Sequence, residues 1–64
     1  MEGVVEFLVR QRKVVGMTQG EVAGRLGVSR ALFGRWESGV CSPRLDQFED
    51  WCDLMGFEVR LMIK

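Results

Sequence analysis

TQGEVAGRLGVSRALFGRWESG, residues 18 to 39, decides the fold. Thr18 followed three positions later by Glu21 is a capping box, in which the threonine oxygen accepts from a first-turn amide and the glutamate reaches back to the cap amide. A helix therefore begins at Gln19. Val22, Ala23 and Leu26 recur at helical spacing, and Gly27 can take the left-handed conformation that ends a helix. Ser29 is a good N-cap for a second helix, in which Phe33 and Trp36 point inward while Arg30, Ala31, Gly34 and Arg35 face outward. A connection this short makes the two helices cross steeply instead of lying antiparallel, and small Ala23 lets them approach.

The flanking sequence supplies a platform. Val4, Phe7, Leu8, Gln11 and Val15 trace one stripe of a preceding helix that ends at Gly16, and Val5, Val9 and Val14 extend its apolar character to other sides. This helix is expected to be packed on more than one face. Ser42-Pro43 reads as an N-cap followed by a first-turn proline, so a further helix is expected to start there, carry Leu45, Phe48, Cys52 and Met55 inward, and end at Gly56.

Length and composition narrow the functional classes. Sixty-four residues make one domain, and a domain of this size buries only about 60% of its unfolded surface, so a partner subunit would help. The sequence has no apolar run of transmembrane length and no signal segment, and the expected compartment is the cytosol. Cys41 and Cys52 lack metal-ligand spacing and histidine is absent, so no metal or cofactor is expected, and a core-facing Cys52 reads as a small hydrophobe. No nucleophile paired with a base and no clustered carboxylates point to catalysis.

Net charge is zero, but its distribution is uneven. Residues 1 to 44 carry seven basic residues against four acidic ones, a net +3, and residues 45 to 64 carry two against five, a net −3. Such a dipolar molecule can turn a basic face to phosphates while its acidic side faces solvent. An ordinary mixed surface is the alternative.

From about Leu8 to Phe57 the chain resembles the phage-repressor (lambda repressor and Cro) type of helix-turn-helix DNA-binding domain. The resemblance rests on Arg12, Gly16, Thr18-Gln19, Val22-Ala23, Leu26-Gly27-Val28-Ser29, Trp36-Glu37, Gly39, Pro43, Leu45 and Gly56. Gln11, where an apolar residue is usual, and the intrahelical Gly20, Gly24 and Gly34 depart from the pattern. The resemblance implies an all-α domain of four to five helices, with the motif at about residues 18 to 37. The helix after Ser29 would be the recognition helix, the one starting at Gln19 would span the DNA backbone, and Arg12 and Glu37 would form an internal ion pair.

Within that resemblance, individual side chains can be given roles. Gln19 at the positive end of its helix suits a phosphate oxygen, with Thr18 and Ser29 beside the same backbone; a second polar capping residue is the alternative for Gln19. Arg30, nearest the start of the recognition helix, is placed on a base, because arginine reads guanine O6 and N7 bidentately. Arg35 fits a base or a phosphate. Ala31 and Leu32 are candidates for thymine methyl contact, although Leu32 fits the core equally well. Gly34 offers room for close approach to the groove. Ser38, Gly39 and Arg44 are placed on phosphates, with a solvated loop as the alternative.

The last eight residues break the helical pattern. Phe57, Val59, Leu61 and Ile63 alternate with Glu58, Arg60, Met62 and Lys64, which is a strand pattern. A lone strand leaves its backbone unpaired, so residues 57–64 are expected to form a dimerisation strand, separate from a DNA-binding domain at 1–56, that pairs with the same strand of a second copy. An axis near Val59 would set Glu58 against Arg60 of the other copy. A frayed tail, or a strand lying on its own helices, is the alternative.

The expected function is therefore a sequence-specific transcriptional regulator, a repressor that binds a two-fold double-stranded DNA operator as a homodimer. Two alternatives remain open: an antitoxin-like module that also holds a toxin protein, through the tail with Trp51 or Leu54, and a phage immunity or Cro-like switch protein.

Overall fold

Four helices follow one another in the computed structural model, which describes residues 2–57: α1 (Glu2–Val14), α2 (Gln19–Leu26), α3 (Arg30–Ser38) and α4 (Leu45–Leu54). The motif helices start and stop where their caps require. Thr18 is extended, its Oγ1 accepts from the Glu21 N–H at 3.1 Å, and its own N–H donates to Glu21 Oε1 at 2.9 Å. Gly27 closes α2 at φ 72°, a backbone conformation that costs a residue with a Cβ about 1–2 kcal/mol. Two residues later the Ser29 hydroxyl accepts from the Leu32 N–H at 3.0 Å and opens α3.

The core is assembled from all four helices. Leu8 of α1, Val22 and Ala23 of α2, Phe33 and Trp36 of α3, and Trp51 and Cys52 of α4, joined by Met55, are buried. Phe33 sits edge-on to both Trp51 (ring centroids 4.9 Å apart) and Trp36 (6.0 Å), and Phe48 meets Trp51 edge-on at 6.5 Å. Such pairs contribute about 0.5–1.5 kcal/mol each beyond area burial. α2 packs against both α3 and α4, and α1 packs against α3. Ala23, almost fully buried, presents only a methyl where the motif helices meet.

Several expectations are corrected. α4 starts at Leu45 instead of at Pro43, because the Arg44 N–H donates to the Gln47 side chain at 2.9 Å and makes Arg44 the cap residue. Ser42 and Pro43 instead line a surface groove with Val5 and Trp36. The later start makes Leu45 the first residue of the helix, and it is 51% exposed instead of inward. The inner face of α4 is Phe48, Trp51, Cys52 and Met55, at the i, i+3, i+4, i+7 spacing of one helical stripe. Trp51 is therefore fully buried and is not available as a partner-binding surface, and Leu54 is half-buried. α1 is also less enclosed than its sequence implied. Leu8 alone is fully buried, Val4 and Val5 pack partly on the core, and Val14 and Val15 are exposed.

Among the described residues there are four helices and no strand. The expected strand covers residues 57–64, of which only Phe57 is described; it lies outside any helix, its ring edge-on to Phe7 of α1 at 5.0 Å. Val59, Arg60, Leu61 and Ile63 lie outside the described residues. No helix among the described residues is long and apolar enough to cross a membrane.

Candidate functional site

The exposed surface of α3 begins at its capped N-terminus. Ser29 takes the Leu32 amide, so the Arg30 and Ala31 amides at the helix start have no intrahelical acceptor. Arg30, Ala31 and Arg35 are exposed, whereas Leu32 is half-buried and packs on the core. Arg30 does not simply extend into solvent: a methyl group on Gly20 of α2 would lie 3.8 Å from Arg30 Cδ, so the arginine's stem lies close to the first turn of α2.

A polar hub ties the motif to α1. Arg12 Nε donates to Glu37 Oε2 at 2.7 Å, Arg12 Nη2 to Glu37 Oε1 at 3.2 Å, and Arg12 Nη1 to the Met17 carbonyl at 2.9 Å. The two side chains are only 11% and 7% exposed, so this is a largely desolvated ion pair. Its planar, two-pronged geometry is the one arginine makes best with a carboxylate. Gln19, the first residue of α2, completes the hub by donating Nε2 to Glu37 Oε1 at 2.8 Å. The Gln19 amide lies beside Gly34 of α3, where a methyl group would be 3.8 Å from Gln19 Oε1. Gly34 thus faces Gln19 at the α2 N-terminus as well as the outside of α3.

The remaining proposed contact residues are spread around this surface. Thr18 and Ser29 are exposed and spend their hydroxyl oxygens as caps. The Ser38 hydroxyl donates to the Arg35 carbonyl at 3.3 Å, and the Gly39 amide closes α3 on the Trp36 carbonyl at 3.3 Å, so it is already engaged. Arg44 pairs with Asp46 at 3.3 Å, both side chains being more than two-thirds exposed. The Arg12–Glu37 pair removes one charge of each sign from the surface, which leaves the +3 excess of residues 1 to 44 intact.

The Gln19–Glu37 bond and the reciprocal placements of Arg30 over Gly20 and Gln19 beside Gly34 were not legible in the sequence. The hub's partners are 18 and 25 positions apart, and no spacing rule reaches that far. Among the described residues no group of three or more histidine, cysteine or acidic side chains is placed to hold a metal ion. Cys52 is buried and its thiol is pushed above its ordinary pKa, first by burial and then by the charge of Asp53, so it stays protonated and unreactive at neutral pH.

A capped pair of short helices joined by a three-residue turn, with a basic exposed face on the second, defines a helix-turn-helix domain. The family model described as helix-turn-helix domain matches residues 5–62, and the chain belongs to that family. Comparison with curated proteins and with solved structures returns no match. Membership of this family points to a DNA-binding regulator.

Proposed function

We propose that the chain is a sequence-specific transcriptional regulator of the lambda repressor and Cro type, a cytoplasmic, non-enzymatic repressor that occupies a two-fold operator as a homodimer. The observation that carries the reading is the exposed face of α3, where Arg30, Ala31 and Arg35 project from a helix anchored by Phe33 and Trp36 in the core. In the proposed complex α3 enters the major groove. Arg30 meets a guanine, Ala31 packs on a thymine methyl, Arg35 serves a base or a phosphate, and Gly34 permits close approach. The first turn of α2, with Thr18 and Gln19, lies along the phosphates together with Ser29 at the start of α3, and Ser38 and Arg44 extend that contact.

The homodimer is assigned to the tail, Phe57, Val59, Arg60, Leu61 and Ile63, on the alternation of its sequence. Two recognition helices would then occupy successive major grooves about 34–36 Å apart. Selection of bound sites from random duplex DNA tests the reading. The expected product is a two-fold sequence with half-sites about one helical turn apart. No enrichment would refute DNA reading, and enrichment of a single half-site would refute the dimer. A chain truncated after Gly56 should sediment as a monomer; a persisting dimer would remove the tail from that role.

A further inference from the structure

The Gln19 amide is held on the side facing Glu37 and lies beside Gly34 on the other. A carboxylate can only accept, so the end of the amide turned toward Glu37 is its NH2, and Gln19 Oε1 and the second Nε2 hydrogen are left for another partner. Glu37 is itself fixed by two hydrogen bonds from Arg12, whose third goes to the Met17 carbonyl just before α2. The direction of the Gln19 side chain is therefore set by a chain of contacts running from α1 through the last turn of α3 to the first residue of α2.

We propose that Glu37 is a positioning residue for DNA binding, acting through Gln19: it fixes the glutamine's amide beside Gly34 before the duplex arrives, so that Gln19 meets the phosphate backbone already ordered. The inference rests on the DNA-binding reading above. A free glutamine side chain loses rotamer freedom when it engages a partner, and a side chain already held in the free protein avoids most of that loss. Gly34 contributes by being small, since a longer side chain there would compete with the amide for the same space. The ion pair with Arg12 and the hold on Gln19 are then separable roles of a single carboxylate.

The test is a double-mutant cycle read on affinity for a duplex recovered from a random-sequence pool by the unmodified chain. Glu37→Gln should weaken binding about tenfold when Gln19 is present and less than about twofold when combined with Gln19→Met, which keeps the length of the side chain and removes its donor. The melting temperature should fall in both backgrounds, because the Arg12 pair is disturbed in each, and slightly more where Gln19 is present, because its bond to Glu37 is disturbed as well. Equal losses of affinity in the two backgrounds would overturn the proposal while leaving the DNA reading standing. Failure of the unmodified chain to retain any duplex would overturn the DNA reading and this role with it. If Glu37→Gln does not fold, the side-chain Nε2 order parameter of Gln19 in the free, unmodified chain decides: a value near that of rigid backbone, about 0.85, supports the hold, and one below about 0.6 overturns it.

Discussion

Replacing Glu37 by alanine should come close to unfolding this protein. The carboxylate accepts two hydrogen bonds from Arg12 and one from Gln19 in a place where its side chain is only 7% exposed. Removing one partner of a desolvated pair leaves the other charge buried without compensation, which costs about 3–5 kcal/mol. Arg12 would keep only its bond to the Met17 carbonyl. A chain of 64 residues has a total stability of roughly 3–10 kcal/mol at about 0.05–0.15 kcal/mol per residue, so the loss is a large fraction of the whole. Urea unfolding followed by tryptophan fluorescence is well placed to read it, because Trp36 and Trp51 are both buried in the folded chain. With a urea slope of about 1 kcal/mol per molar for a domain this small, the midpoint should move down by about 3–5 M, or the variant should be unfolded without denaturant. Asp46→Ala is the internal control: it removes the exposed partner of Arg44 and should change stability by no more than about 1 kcal/mol. A loss under about 1 kcal/mol for Glu37→Ala would refute the view that the hub is desolvated and structural.

Other expectations follow from particular residues. Gly24 lies exposed inside α2 with open space where a Cβ would stand, so Gly24→Ala should raise stability by about 0.5–1 kcal/mol, roughly 2–8 °C in melting temperature, and a fall would mean that α2 needs the freedom of glycine. The Glu21 carboxyl is held below its ordinary value of 4.5, first by the Thr18 N–H and then by the Thr18 hydroxyl; its stabilisation is therefore complete above that value and lost as pH falls through the lower folded-state value. Thr18→Ala should cost about 0.5–2 kcal/mol at neutral pH, and Glu21→Gln should flatten the acid limb of the stability curve. Cys41 should react readily with a thiol reagent while Cys52 should react only on unfolding; equal rates would contradict the burial of α4's inner face. In DNA binding, Arg30→Ala should relax preference at one base pair, worth about 1–3 kcal/mol, and Gln19→Ala should weaken binding evenly across sequences. Unchanged specificity in Arg30→Ala would remove the base contact from that residue.

The order of helices was readable wherever a local chemical device marks a boundary. Thr18 with Glu21, Gly27 and Ser29 act within one or two turns of chain, and each sits at the helix end that its chemistry requires. The start of α4 misleads because Ser42-Pro43 carries the favoured local start signal, whereas Arg44 makes no side-chain cap and its place as cap residue is marked only by its N–H donating to the Gln47 side chain. Leu45, in the first turn, is left half exposed, whereas Trp51 lies on the packed stripe beside Phe48, Cys52 and Met55 and completes the aromatic cluster around Phe33. Valines at 14 and 15 carry the same apolar signal as Val4 and Val5, yet no other described element covers them at the end of α1.

What the sequence determined alone is the motif: two capped helices, a glycine turn, an inward pair at Phe33 and Trp36, and a basic outward face, all set by interactions between near neighbours in the chain. The resemblance implied the Arg12–Glu37 pair, and what only the tertiary structure decided is how that pair is joined to the motif through Gln19. Arg12, Gln19 and Glu37 come from three different helices and share one carboxylate, and Gln19 and Arg30 each lie beside a glycine of the opposite motif helix. Contacts across 10 to 25 positions depend on where whole helices pack, so they emerge only once the aromatic core has fixed the helices against one another.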